Sequence, residues 1–374
     1  MKYSIEIGKI VEGALKHDQT KVLNYTKQLI AKLEEDNETR AANKFSKILS
    51  TQNASLSAMG SKKEMAIPID SESRTVLADI IYPDDNNIEV ILSRHNSENL
   101  NSFIMSYKNA DKLNSLGIGM SNTLLLYGPP GCGKTQCAYL IARELNLPLV
   151  IARLDSIISS YLGTTAKNIR MLFEFAQKMP CVLFLDEFDA IAKARDDNNE
   201  LGELKRVVNS LLQNVDAMSN DSLLVAATNH ENLLDTAVWR RFEYKLKIEL
   251  PDTHAILKMI DLFSKKNHNL SSKEMRELAI AFTGLSGANI EEIMLKAIRN
   301  AIINNSEINK LGFYEELFSY KGIIPQSCNN EKALLKSKAK FLRECNEKIF
   351  SLQVIADILG SSKTTISKLV KEVD

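Results

Sequence analysis

Little in this 374-residue chain stiffens it covalently: it has five cysteines, eight prolines and one tryptophan. The cysteines (Cys132, Cys137, Cys181, Cys328 and Cys345) show no C-x-x-C spacing, and reduced thiols in a cytosolic protein are the expectation. No apolar run approaches the length of a membrane span, and the first residues lack the apolar core of a signal peptide. A cytoplasmic location with no membrane partner follows as the expectation. Charge of one sign is also missing. Lys plus Arg number 47 and Asp plus Glu 47, so bulk electrostatics point to neither nucleic acid nor an anionic membrane. Neither a Ser-His-Asp signature nor an H-E-x-x-H motif occurs, so any proteolysis must come from a partner. What remains is ordinary for a globular protein, 44% apolar and 25% charged, and long enough for about two or three units.

The chain is organised around Gly128–Thr135, which reads GPPGCGKT and fits G-x-x-x-x-G-K-[ST]. The apolar run Thr123–Tyr127 before it predicts a buried strand, and Gln136–Leu145 after it a helix. Gly131 and Gly133 let the backbone wrap closely around a phosphate, and the following helix favours the same anion. Gly128, Pro129, Pro130, Gly131, Cys132, Gly133, Lys134, Thr135 and Gln136 are therefore the candidate nucleotide-binding residues. Lys134 would reach the β- and γ-phosphates of ATP, and the Thr135 hydroxyl would bind Mg²⁺.

In chain order, residues 1–50 carry apolar side chains at helical spacing in three segments, with Asp18 and Asp36-Asn37 as caps. A small helical module is expected there, either for a partner or as a structural or oligomerisation element. Residues 51–66 lose the periodicity and read as a linker. Residues 67–250 hold short apolar runs alternating with helices: Val76–Ile81, Leu147–Ile151, Cys181–Leu185, Leu223–Ala227 and Tyr244–Leu250, with helices over Ser97–Leu116 and Ala166–Lys178. That alternation predicts an α/β fold in three layers, a parallel sheet covered on both faces. Residues 251–310 read as a helical lid interrupted at Gly284 and Gly287, and 331–374 as a helical, mildly basic tail.

Ligands of such sheets bind at the carboxyl ends of the strands, where three motifs fall. Asp186 ends one strand as a second anchor for Mg²⁺ opposite Thr135, and Glu187 follows as the group that polarises an attacking water. Alternatively Asp-Glu caps the next helix. Asn229, past the end of the neighbouring strand, would position that water or touch the γ-phosphate.

Together these residues resemble the AAA ATPases over roughly 75–305. FLDEFDAI looks like the family's Walker B motif, VAATN like its first sensor, and LDTAVWRRFE like its arginine-finger motif. GLSGANIEEI resembles the lid stretch of the classical clade and puts Ala288 where other clades carry a second-sensor arginine. The resemblance implies a homo-hexameric ring in which Arg240 and Arg241 act on the neighbour's nucleotide; a local salt bridge to Glu243 or Asp235 is the alternative. It places Tyr161 and Leu162, in SSYLGTT, in a pore loop that grips a protein substrate, unless Tyr161 is a core aromatic. Thr164 stands where the family commonly has glutamate. VLADIIYPDD, ADKLNSLGIGMSNTLLLYGPPGCGKT and NSLLQ resemble, more narrowly, small bacterial stand-alone AAA ATPases encoded beside a subtilisin-like protease, associated with plasmid incompatibility and phage defence.

The tail adds a second signal. Ser351–Val370 resembles a helix-turn-helix, with Ala356 at the close crossing, Gly360 in the turn and Ile366 in the core. Lys363, Thr364, Thr365 and Lys368 would open the second helix, making DNA one candidate partner and a docking protein the other. The whole reads as an Mg-ATP-hydrolysing ring that remodels or threads a protein, with a DNA-directed ATPase of the initiator or loader type, or a nucleotide-gated switch, as rivals.

Overall fold

A computed structural model describes residues 3–57, 67–70, 74–83, 89–118, 122–157, 162–192, 201–218, 222–264, 270–323 and 331–371, apart from the side chains at 50–57, 162–163, 192 and 201–206. Contacts divide it into two compact units, one of Met1–Val90, Asn96–Gly128 and Lys134–Lys247, the other of Ile91–His95, Pro129–Gly133 and Ile248–Asp374.

The first unit begins with α1 (Ser4–Leu15), α2 (Gln19–Glu35) and α3 (Thr39–Ser57). The Asp18 carboxylate accepts from Lys21 N at 3.0 Å and caps α2, as its position predicts. No side chain of its own caps α1; Asp111 accepts from Tyr3 N at 2.8 Å and Ser4 N at 3.2 Å instead. The trio buries charge: Glu6 is 1% exposed and pairs with Lys32 at 2.6 Å. Glu12, paired with Lys16 and Lys21, is held down to about 2. Helix α3 runs to Ser57, past the expected end at residue 50, because no glycine or proline interrupts it before Gly60.

The sheet follows. Its strands are β1 (Ala78–Ile81), β2 (Thr123–Tyr127), β3 (Leu149–Ala152), β4 (Val182–Leu185), β5 (Leu223–Thr228) and β6 (Tyr244–Lys247), in the spatial order β1-β3-β4-β5-β2-β6. Every pairing is parallel except that of the edge strand β1, which runs antiparallel to β3. Strand direction has no signature in a short apolar string, so the expected wholly parallel sheet gains one reversed edge. The helices between strands are α4 (Arg94–Lys108), α5 (Ala110–Ser115), α6 (Lys134–Glu144), α7 (Leu154–Ile157), α8 (Leu162–Ala176), α9 (Asp189–Ala192), α10 (Leu201–Asp216) and α11 (Thr236–Arg241). The helix expected over Ser97–Leu116 is two, broken at Asn109.

Successive strand residues face opposite sides. Leu125, Val150, Leu183 and Leu224 join one core with Phe173 of α8 and Leu211 of α10. Their neighbours Leu124, Phe184 and Val225 are equally buried, which is why the strands read as unbroken apolar runs.

The second unit is helical: α12 (Thr253–Phe263), α13 (Ser272–Ala281), α14 (Gly287–Ile303), α15 (Lys310–Tyr320), α16 (Glu331–Cys345), α17 (Leu352–Leu359) and α18 (Lys363–Lys371). One apolar cluster runs through it from Ile256 to Ile366. A capping box closes the start of α13: Ser271 Oγ accepts from Glu274 N, while the Glu274 carboxylate accepts from Ser271 N.

Candidate functional site

Parallel register brings the motifs to one edge of the sheet. β5 lies between β2 and β4, with Tyr127 beside Thr228 and Leu185 beside Ala226. The stretches that leave β2, β4 and β5, beginning at Gly128, Asp186 and Asn229, therefore emerge side by side. Local folding is forced there. Gly128, Gly131 and Gly133 all have positive φ, and the backbone of the loop turns through a region closed to most side chains.

Lys134 is 7% exposed at the first position of α6, and its Nζ donates to Gly128 O at 2.8 Å. The ammonium is thus folded back over its own loop. Next to it, Thr135 Oγ1 donates to Asp186 Oδ2 at 2.7 Å, joining the start of α6 to the end of β4. The other Asp186 oxygen accepts from Glu187 N at 2.9 Å. Glu187 itself is exposed with φ 49°, a left-handed conformation uncommon for a non-glycine residue, and such residues concentrate at functional sites. Toward α9 it is the Glu187 carbonyl, not a side chain, that accepts, from Ala190 N at 2.9 Å. Asn229 is half-buried just past the end of β5, and the preceding Thr228 Oγ1 donates to Asp189 Oδ1 at 2.8 Å.

The hydroxyl of Thr135 and the carboxylate of Asp186 are hard oxygen donors within hydrogen-bond reach of each other, a donor set that fits Mg²⁺. Mg²⁺ keeps several waters and shares substrate phosphates, so two protein oxygens suffice.

The two arginines differ. Arg241, ending α11, is gripped by Asp216 of α10: its Nε and Nη2 donate to the two carboxylate oxygens at 3.1 Å each, and Nη1 donates to Ala237 O at 3.0 Å. The Asp216 carboxylate raises the Arg241 pKa further. Arg241 is thus in a local salt bridge, but to Asp216 and not to the expected Glu243 or Asp235. Arg240 is exposed and has no partner among the described residues. Both line an open depression of about 340 Å³ with Thr123, Asp216 and Glu243. The preceding residue, Trp239, packs edge-on against Tyr127 at 5.2 Å between ring centroids, with the Lys245 ammonium 5.6 Å from its ring centre.

In the second unit, Gly131 O accepts from Ala288 N at 3.0 Å. A Cβ on Gly131 would come within 2.8 Å of Ser286 Oγ and 2.9 Å of the Ala288 Cβ. Gly131 is thus needed for close approach as well as for its φ of 72°. Tyr161 lies outside the described residues, and so does the side chain of Leu162, whose backbone opens α8. Asp216 had no signal in the sequence, because it lies 25 residues from Arg241.

Residues 124–250 match the profile of the ATPase family associated with various cellular activities, AAA. An uncharacterized AAA family ATPase of Sinorhizobium fredii is 45% identical over 223 residues, covering 60% of this chain and 67% of that one. A proteasome-activating nucleotidase of Methanococcus maripaludis is 32% identical over 219 residues, covering 57% of this chain and 54% of the relative, so the chain spans about half the length of that protein. The fold matches the ADP-bound AAA domain of FIGL-1 with a TM-score of 0.56, at 21% identity, over 70% of this chain and 90% of that domain.

Proposed function

The chain belongs to the AAA family of ATPases and is an ATP hydrolase, and from that premise we propose that it acts as a ring whose ATP sites are completed by neighbouring subunits. The observation that carries this is the exposed Arg240, a permanent cation with no counter-charge among the described residues of its own subunit. A guanidinium offered to a neighbour's γ-phosphate is worth about 10³–10⁵ in turnover where such fingers have been measured.

Within a subunit, residues 128–136 would bind the phosphates, with Lys134 neutralising their charge. Thr135 and Asp186 would hold Mg²⁺, which would supply positive charge to neutralise the phosphates. Glu187 would take the proton from the attacking water, and Asn229 would orient that water. Arg241, fixed by Asp216, would hold the end of α11 so that Arg240 projects. The work done would be on a protein, gripped by Tyr161 and Leu162. Resemblance to proteasome-activating relatives supports a protein substrate, and a subtilisin-like protease is a partner consistent with the narrower sequence likeness.

The test mixes two inactive variants. Arg240→Ala and Glu187→Gln subunits are each expected to bind ATP and hydrolyse it poorly, and mixed assemblies to regain turnover because some interfaces pair an intact Glu187 with an intact Arg240. Absence of rescue in rings shown to be mixed refutes action across subunits.

A further inference from the structure

The last three helices make a compact motif of their own kind. Ala339 and Leu342 of α16, Phe350, Ile355 and Ala356 around α17, and Ile366 of α18 are each 1% exposed or less. Ser351 caps α17 and Ser362 caps α18, accepting from Val354 N at 3.4 Å and Thr365 N at 3.1 Å. Gly360 ends α17 with φ 61°, and nothing lies within 4 Å of where its Cβ would be; it is required for backbone conformation alone. Two short helices joined by Gly360-Ser361-Ser362 and backed by a third form a helix-turn-helix.

Its surface shows what it would contact. Along α18, Lys363, Thr364, Thr365, Lys368 and Lys371 are exposed, while Ile366 and Leu369 face the core. None of the three lysines has a counter-ion among the described residues. The Thr364 and Thr365 hydroxyls lie 2.7 and 2.8 Å from Ser362 Oγ, so the start of the helix presents ordered hydroxyls. Residues 331–374 hold nine Lys or Arg against six Asp or Glu in a chain whose net charge is zero. Between Glu331 and Lys371 no large apolar side chain is exposed among the described residues, although Leu295, Ile302, Ile303 and Leu311 are exposed earlier in the same unit. Protein docking sites rest on apolar and aromatic anchors. This face has none and offers cations and hydroxyls.

We propose that α16–α18 bind duplex DNA, with α18 in the major groove. Lys363, Lys368 and Lys371 contact phosphates, and Thr364 and Thr365 face base edges. B-form DNA admits a helix in its major groove, about 12 Å wide, whereas the major groove of A-form RNA is too narrow for side chains to read.

The experiment uses the full chain and a fluorescent 30-base-pair DNA duplex, titrated at several salt concentrations, with an RNA duplex of the same sequence alongside. Wild type is expected to bind the DNA with affinity falling steeply with salt. Lys363→Ala/Lys368→Ala/Lys371→Ala is expected to lose at least about tenfold in affinity at low salt and to flatten the log–log salt slope by about 2–3, close to 0.9 for each phosphate contact removed. Its circular dichroism and DNA-free ATP turnover should match wild type. DNA binding that is absent, or unchanged in the triple variant, overturns the proposal, as does equal binding of the RNA duplex. A protein captured by this face with the lysines dispensable would assign it to protein docking instead.

Discussion

Charges at the strand ends and charges on α18 are handled in opposite ways. Lys134 donates to a carbonyl of its own loop and Asp186 is engaged through both oxygens, while Arg241, at the amino end of β2, is gripped by a carboxylate and a helix carbonyl. Along α18 the lysines project from an apolar helical core with no counter-ion among the described residues. Internal partners fix a side chain's position to within a hydrogen bond, which transfer of a phosphoryl group demands. Unpartnered lysines suit a repeating polyanion, where each charge can slide to the nearest phosphate. Arg240, beside Arg241 near the amino end of β2, has no counter-charge among the described residues, in the manner of α18. That contrast is what supports its proposed role toward another subunit.

Five substitutions break or sharpen the contrast. The largest effect belongs to Lys134→Ala, which removes a buried cation and is expected to leave neither nucleotide binding nor turnover; a nucleotide-binding assay with the purified protein checks it. Glu187→Gln comes next. Turnover should fall by about 10²–10⁴, the usual contribution of a general base, while ATP affinity stays within twofold or so. Wild-type turnover in this variant would remove Glu187 from the chemistry.

A smaller effect is expected in the tail's interior. Ile366→Ala should lower stability by about 2–5 kcal/mol by opening a cavity in a fully buried position, read by thermal or urea unfolding. Exposed Lys363→Ala should stay within about 0.5 kcal/mol of wild type. Small as well, on stability, is Asp216→Asn. The pair it breaks is half in water, worth about 0–1 kcal/mol, so stability should hardly move. Turnover should nevertheless drop by less than about tenfold, with the same fall absent when Arg241 is already alanine. Additive losses in the double variant would show that Asp216 does not act through Arg241.

Much of the strand-end site was legible because it is written in contiguous strings. GPPGCGKT, the strand closing on Asp186-Glu187 and the strand leading to Asn229 each carry their own local conformation, and parallel pairing does the assembly. The turn at Gly360 was legible for the same reason. Direction of pairing was not: nothing in Ala78–Ile81 distinguishes an antiparallel edge from a parallel one. Helix α15 escaped because Gly312 interrupts its propensity, although Phe313, Tyr314, Leu317 and Phe318 fall on one buried face and Asn309 caps it through Leu311 N and Gly312 N. The grip of Asp216 on Arg241 exists only in space, joining residues that no sequence spacing relates.

The packing of Trp239 on Tyr127 has a practical consequence. It is the only tryptophan in the chain, so light absorbed at the red edge of the protein spectrum excites this ring alone. The ring touches the residue that precedes Gly128, and it precedes Arg240 in the helix that ends at Arg241. Nearby lies the ammonium of Lys245, a charge able to shift the emission of the indole. The molecule thus carries an optical reporter placed between the nucleotide loop and the arginine pair. Its emission is expected to shift on addition of ATP, with no label attached, and the rate of that shift would time the response of this ring to the nucleotide.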